Sequence, residues 1–170
     1  MDLRKYIRDI PDFPRPGIVF KDITPLLAEP LAFQEAIQRL CREYQGRDLD
    51  AVAAAEARGF LFAAPMALLL KQPLIPLRKP GKLPHRTYSL QYELEYGTAE
   101  LQVHIDGIAA GQRVLLVDDL LATGGTMAAG CQLIEKAGGR VAGCAFLVEL
   151  MFLKGRERLR PHEVFSLIQY

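Results

Sequence analysis

Apolar residues along this chain form short runs that are separated by segments with helical spacing. The runs "LDAVAAAE" at 49–56, "PLIPLRK" at 73–79, "RVLLVD" at 113–118 and "RVAGCAFLVEL" at 140–150 predict strands, and the third is apolar on both faces, as at the centre of a parallel sheet. Helices are predicted at 31–45, from "ARGF" to about Leu70, and from about Gly125 to Ala137. This alternation predicts an α/β fold with an open, mostly parallel sheet flanked by helices.

The other segments are less regular. Residues 2–9 predict a short helix, and "PDFPRPGIVFKDITPLL" at 11–27 predicts an ordered loop because its four prolines are unsuited to a helix interior. The alternating stretches "LQYELEYG" at 90–97 and "AELQVHI" at 99–105 predict an antiparallel pair.

Composition excludes several classes of protein. The 170 residues fit one domain, and a formal charge of +1 gives no global basic field for nucleic acid or an anionic membrane. Three cysteines without C-x-x-C spacing are typical of a reducing compartment. The N-terminus lacks the apolar run of a signal peptide, and Pro65 interrupts the longest apolar run, which is too short to span a bilayer. We therefore expect a cytoplasmic protein that binds neither membrane nor nucleic acid.

Three loops follow predicted strands with polar or glycine residues: "EARGF", "RKPGK" and "DDLLATGGT". In open α/β sheets, ligands bind beyond the carboxyl ends of the strands. The Thr-Gly-Gly-Thr turn that opens a helix offers free amides to a phosphate, whereas Asp118 and Asp119 would repel one. Ionised carboxylates accept hydrogen bonds from a sugar diol. The combination predicts a ribose 5-phosphate ligand.

Two other interpretations of the acidic pair fail. A phosphate-loop NTPase needs G-x-x-x-x-G-K-[ST], which the sequence does not contain, and the paired acids of a receiver domain belong to its first strand. The simplest alternative is a buried strand that ends in solvated acids.

"VLLVDDLLATGGT" resembles the phosphoribosyl pyrophosphate (PRPP) signature of the type I phosphoribosyltransferases. The segments "PDFPRPGIVFKDITPLL", "EARGF", "RKPGKLP", "LEYG" and "VELMFLKGRERL" extend the resemblance, across nearly the whole chain, to the members that use adenine. The resemblance implies transfer of ribose 5-phosphate from PRPP to adenine, which yields AMP and pyrophosphate, with magnesium offsetting pyrophosphate charge. It also implies a homodimer, a base-binding hood at 1–30 and a flexible β lid at 79–97.

The same resemblance assigns roles to residues of the sugar-phosphate site. Asp118 and Asp119 hold the ribose hydroxyls and, through water, the metal. The 5-phosphate is wrapped by Ala122, Thr123, Gly124, Gly125 and Thr126. Arg58 contacts pyrophosphate, and a non-proline cis peptide is expected near Glu56 and Ala57. A satisfied structural arginine is the alternative for Arg58, and Ala54 stands where many relatives have glycine.

In the lid, the resemblance makes Arg78, Lys79 and Lys82 pyrophosphate contacts, and it leaves open whether Arg78 reaches a neighbouring subunit's site. Glu95 is the catalytic proton-transfer group and Tyr96 closes over the sugar. A solvated basic loop and an exposed carboxylate are the simpler interpretations of these residues.

The base site carried over by resemblance lies in "GIVFKD". There Phe20 stacks on adenine, the backbone of Val19 and Lys21 reads its edge, and Leu150 covers its other face. Burial in a core is the alternative for Phe20.

Two other functions remain open at this level. One is transfer to another purine such as xanthine or hypoxanthine. The other is a non-catalytic PRPP-sensing regulator, which is disfavoured because only some ten residues precede the base loop and the net charge is nearly neutral.

Overall fold

The computed structural model describes residues 1–93 and 97–170, and the chain folds as two compact units, Met1–Arg39 and Leu40–Tyr170. The first unit begins with a 3-10 helix at Leu3–Tyr6 and an antiparallel pair formed by β1 (Arg8–Ile10) and β2 (Phe20–Asp22). α1 (Thr24–Ala28) follows, and α2 (Pro30–Tyr44) continues into the second unit.

Two predictions for the first unit were wrong in detail. The helix expected at 2–9 is a single 3-10 turn followed by a strand, and the loop expected at 11–27 contains β2 and the start of α1. The prolines explain the second error. Pro25 lies in the first turn of α1, where its missing N–H breaks no helical hydrogen bond, and the other three precede β2.

The second unit is built on five parallel strands: Ala51–Ala55 (β3), Leu74–Leu77 (β4), Arg113–Leu121 (β7), Arg140–Glu149 (β8) and Val164–Gln169 (β9). Their spatial order is β4-β3-β7-β8-β9. The predicted strands are confirmed as the first four members of this sheet. The fifth, β9, was not predicted, although "VFSLIQ" has a strand-like composition.

Helices α3 (Gly59–Leu70) and α4 (Gly125–Lys136) follow β3 and β7, as the helical spacing predicted. α5 (Gly155–Arg158) is a single turn that lies between β8 and β9, after a 3-10 turn at Met151–Leu153. The predicted antiparallel pair is confirmed: β5 (Thr87–Glu93) pairs with β6 (Thr98–His104).

The main core lies between the sheet, α4 and the β5–β6 hairpin, with members such as Leu77, Leu101, Leu116, Ile134 and Phe146 almost fully buried. Strand order reverses between β3 and β7, because β3 has β4 on one side and β7 on the other. A crevice is expected at the carboxyl ends of these two strands. Among the described residues, no helix is long and apolar enough to cross a bilayer.

Candidate active site

A cavity of about 690 Å³ lies at this crevice, within the second unit. Its lining combines the loop after β3, the end of β7, the turn that opens α4, and single residues from β5, β8 and α5. The described lining residues are Glu56, Ala57, Arg58, Glu93, Asp118, Asp119, Leu120, Leu121, Ala122, Thr123, Gly124, Gly125, Thr126, Met127, Phe146 and Arg158.

The acidic pair lies inside β7. We expected the strand to end at these acids, but it continues to Leu121 because its pairing with β8 extends through Leu121 and Glu149. The backbone N–H of Asp119 donates a 2.8 Å hydrogen bond to Asp118 Oδ1. Burial and the neighbouring Asp119 carboxylate raise the pKa of Asp118 well above its usual range.

Arg58 partly neutralises the pair. Its Nε lies 2.9 Å from Asp119 Oδ2, and the Asp119 side chain is only 5% exposed whereas that of Arg58 is about half exposed. The exposed part of the guanidinium borders the cavity. The buried Asp119 carboxylate is therefore compensated by an arginine whose side chain is about half exposed.

The loop after β3 is fixed by Glu56. Its Oε1 accepts hydrogen bonds from the Lys79 backbone N–H at 2.8 Å and from Arg78 Nε at 3.0 Å. These contacts lower the pKa of Glu56, with the backbone bond from Lys79 contributing most. The Glu56–Ala57 peptide bond is cis, as expected. Ala54 is buried in β3, and a Cβ added to Gly59 would lie 3.3 Å from its methyl group.

The turn at 122–126 leads into α4 with Gly124 at its N-cap and φ of +82°. A side chain is excluded there, because a Cβ on Gly124 would lie 2.6 Å from the carbonyl oxygen of Gly155. Gly155 is equally constrained, since its Cβ would collide with the carbonyl oxygen of Ala122. The segment that contains α5 therefore lies directly against the turn that opens α4.

Several residues that we proposed for the site are not among the described lining residues of this cavity. Lys79 borders a smaller cavity with Gln91 and Tyr92, Arg78 is held by Glu56, and Lys82 lies outside the described lining of the main cavity. Leu150 is buried just after β8 and donates its N–H to the Leu121 carbonyl. Glu95 and Tyr96 lie outside the described residues.

Three of the four predicted base-binding residues belong to the first unit. Val19 is exposed, whereas Phe20 and Lys21 lie in β2. The Phe20 ring meets that of Phe13 edge to face, with 5.2 Å between centroids, and Lys21 Nζ lies 2.6 Å from Asp9 Oδ1. Phe20 thus places an aromatic ring at the start of β2, directly after the exposed Val19.

Sequence reasoning missed four polar or aromatic lining residues: Glu56, Glu93, Phe146 and Arg158. Glu56 begins the motif "EARGF" and Arg158 belongs to "KGRERL", so both stand in segments that carry the resemblance. No local signal marks Phe146, which is one apolar residue in a buried strand. Among the described residues, no three His, Cys, Asp or Glu side chains are grouped as a metal-binding set.

The sequence and the fold match those of a known family. The family model for the phosphoribosyl transferase domain matches residues 22–169, so the chain belongs to the phosphoribosyl transferase family. Within that family, relatives that are 53–59% identical to this chain are adenine phosphoribosyltransferases. The enzyme of that name from Chloroflexus aurantiacus is 59% identical over 169 residues, which cover 99% of this chain and 98% of the relative.

Solved structures agree with this assignment. The adenine phosphoribosyltransferase of Thermoanaerobacter pseudethanolicus has a TM-score of 0.96 at 52% identity, and the alignment covers 99% of this chain and 98% of that one. The enzyme of Saccharomyces cerevisiae has a TM-score of 0.92 at 37% identity, with 98% of this chain and 96% of that one covered. That structure is a complex with adenine and D-2,5-dideoxy-2,5-imino-altritol 1,6-bisphosphate.

Proposed function

We propose that this protein transfers ribose 5-phosphate from PRPP to adenine and releases AMP and pyrophosphate. The observation that carries the proposal is the placement of Asp118 and Asp119 beside the 122–126 turn in one cavity. A phosphorylated ribose needs both features at this spacing, since its diol donates to carboxylates and its phosphate accepts from amides. The high identity to adenine phosphoribosyltransferases supports adenine as the acceptor.

At the sugar, Asp118 and Asp119 accept hydrogen bonds from the ribose hydroxyls. As pyrophosphate departs, the ribose gains positive charge, and these carboxylates stabilise it. Ala122, Thr123, Gly124, Gly125 and Thr126 hold the 5-phosphate through backbone amides and threonine hydroxyls. Gly124 supports this role, because its left-handed backbone forms the turn at the start of α4 that lines the cavity.

Pyrophosphate is bound by Arg58 and, from the lid at 79–97 and the residue before it, by Arg78, Lys79 and Lys82. The bond between Glu56 and the Lys79 backbone ties the start of this lid to the loop that carries Arg58. Closure of the lid excludes water from the reacting sugar. Tyr96 completes that cover, and Glu95 moves the proton on the purine.

The base is held by the hood at residues 1–30, where Phe20 stacks on the ring and the backbone of Val19 and Lys21 reads its edge. Leu150 covers the opposite face. The exposure of Val19 and the edge-to-face support of Phe20 by Phe13 favour this role. Hood, sheet and lid form a single phosphoribosyltransferase domain.

Magnesium is the expected cofactor. The acidic pair fits it, because the described lining of the cavity holds four acidic side chains and two arginines, which leaves excess negative charge. Asp118 and Asp119 would hold the ion through water, with pyrophosphate oxygens as its main ligands. When bound, magnesium offsets the charge of the departing pyrophosphate.

The protein works as a homodimer in the cytoplasm. Dimerisation is supported by leucines on α3 that are exposed in the single chain, with Leu68 79% and Leu69 56% exposed. Arg78 then lies on a segment that can reach the site of the second subunit. Cys41, Cys131 and Cys144 are free thiols, which suits a reducing compartment.

The test is pyrophosphate release from PRPP with magnesium and, in turn, adenine, guanine, hypoxanthine or xanthine. We expect turnover with adenine and little with the 6-oxopurines. Preferred turnover of xanthine or hypoxanthine would assign another purine as the acceptor. PRPP binding without turnover of any base would indicate a regulator.

A further inference from the structure

Arg158 is a cation in the cavity that the assigned roles leave unused. It ends α5, and its side chain lines the cavity together with the 122–126 turn. A Cβ placed on Gly125 would lie 3.2 Å from Arg158 Nη1. The guanidinium is therefore next to the turn to which the 5-phosphate is assigned.

The charge of Arg158 is available to a ligand. Throughout residues 1–93 and 97–170, it has no hydrogen-bond or ion-pair partner within 4 Å. Arg58, the other arginine of the lining, is paired with Asp119. An arginine that borders a polar cavity and has no partner in the described part of the chain is well placed to pair with an anion.

The position of Arg158 is built into the fold by its own segment. Arg156, two residues earlier, is bound by Glu149, with Nε–Oε1 at 2.8 Å and Nη2–Oε2 at 2.5 Å. The Glu149 side chain is 1% exposed, so the pair anchors α5 to the end of β8. The contacts of Gly155 with Ala122 and Gly124 fix the same segment against the turn.

We propose that Arg158 is a phosphate-binding residue that pairs with the 5-phosphate of the ribose. Backbone amides alone present partial charges to a phosphate dianion, whereas a guanidinium adds a full charge and two parallel donors. The ligand class is a sugar phosphomonoester, present in both PRPP and AMP. This inference rests on the proposed function, because it assumes that the 122–126 turn binds the 5-phosphate.

The test compares two ligands that share the cavity but only one of which carries the phosphomonoester. AMP and inorganic pyrophosphate with magnesium are titrated calorimetrically into the wild type, Arg158→Gln and Arg158→Lys. The control is Arg42→Gln, which removes one exposed charge from α2 at a position outside the cavity lining. A charge-assisted hydrogen bond is worth about tenfold or more in affinity.

We expect Arg158→Gln to weaken AMP binding about tenfold, with pyrophosphate binding and the Arg42→Gln control unchanged. Arg158→Lys should recover part of the loss, since it keeps the charge but not the planar pair of donors. The ³¹P resonance of bound AMP should also titrate at higher pH in Arg158→Gln, because losing a nearby cation favours the monoanion.

Equal AMP affinity in wild type and Arg158→Gln would overturn the inference, as would a loss confined to pyrophosphate. Thermal unfolding of each variant identifies any general loss of structure, and a weakening of both ligands with a lowered Tm would also count against a specific contact. A wild type that binds neither ligand would instead contradict the proposed function. The two failures are therefore distinguishable.

Discussion

Asp118 shows how a residue proposed to bind substrate can reduce the stability of its own fold. Its pKa is raised because burial and Asp119 disfavour the charged form. The native state therefore holds the proton of Asp118 more tightly than the unfolded chain does. Stability contributed by that proton is present at low pH and is lost as pH rises from about 4 to the raised native value.

Replacement of Asp118 by Asn should consequently raise the Tm of the ligand-free protein at pH 7 and reduce turnover. The difference in Tm from wild type should shrink at pH 4, where Asp118 is protonated in the native state. Differential scanning calorimetry at both pH values checks this, with Asp106→Asn, an exposed acid in the turn after β6, as the control. A lower Tm for Asp118→Asn than for wild type at pH 7 would contradict the destabilising effect of the Asp118 charge.

If Asp118 and Asp119 take part in the reaction, replacing them should lower the catalytic efficiency of the enzyme. If they stabilise positive charge on the ribose, Asp118→Asn with Asp119→Asn should lower kcat/KM for PRPP by about 10²-fold or more. Steady-state assays with saturating adenine measure this value. An unaltered kcat/KM in the double variant would show that the ribose does not bind at these two aspartates.

The proposed role of Glu95 in proton transfer rests on the sequence resemblance alone. A positioned acid or base contributes about 10²–10⁴-fold, so Glu95→Gln should lower kcat by that factor and leave PRPP affinity nearly intact. Single-turnover kinetics, which isolate the chemical step, provide the measurement, and Glu100→Gln in β6 is a matched control. Wild-type kcat for Glu95→Gln across the pH range would make this glutamate structural.

At the scale of elements, the site depends on the contact between the α5 segment and the turn before α4. Arg156→Met would leave the buried Glu149 carboxylate without its main partner. We expect a loss of about 2–3 kcal/mol in the free energy of unfolding at pH 7, reduced from the cost of a fully buried pair because Arg156 is partly exposed. Urea unfolding measures this loss.

The loss in the free energy of unfolding on replacing Arg156 should depend on pH, because its partner Glu149 titrates. The hydrogen bond from Arg156 lowers the pKa of Glu149, so its stabilisation is present above the unfolded pKa of about 4.5 and is lost as pH falls through the lower native value. The difference between wild type and Arg156→Met should therefore narrow below pH 4.5. A constant difference between pH 7 and pH 3.5 would show that the cost comes from packing alone.

Elements with a long apolar run or a clear helical period could be predicted from the sequence, whereas short ones could not. The runs that became β3, β7 and β8 are continuous and apolar because both faces of a parallel sheet are covered. β1 and β2 have three residues each, too few for any period to appear. Their pairing depends on a contact across the proline-rich turn between them, which local spacing does not encode.

The site divides in the same way. Asp118, Asp119 and the 122–126 turn are contiguous in sequence, so their chemistry can be recognised as one motif. Arg158 and Phe146 reach the cavity only because β8 lies beside β7 and α5 packs against the turn. Arg158 stands in a segment that carries the resemblance, but nothing local in the sequence indicates that either residue lines the cavity.

At the scale of the whole molecule, the proposed dimer accounts for the apolar face of α3. We expect light scattering to give twice the chain mass of 18.9 kDa for the wild type. Leu68→Asp should shift the protein toward a monomer, because the charge would be buried at the interface. Leu31→Asp, at another exposed leucine, is the control; a fully active wild-type monomer at micromolar concentration would refute the dimer.

The order of strands in the sheet also bears on how the chain emerges from the ribosome. β3 is synthesised early, but one of its edges stays unpaired until β7 is made, and β7 in turn stays unpaired on one edge until β8 is made. A nascent chain that stops before β8 therefore exposes the edge of its central apolar strand, which invites pairing with other chains. Refolding should be limited by these long-range pairings rather than by the local β5–β6 hairpin, so substitutions in β7 should slow it more than those in the hairpin.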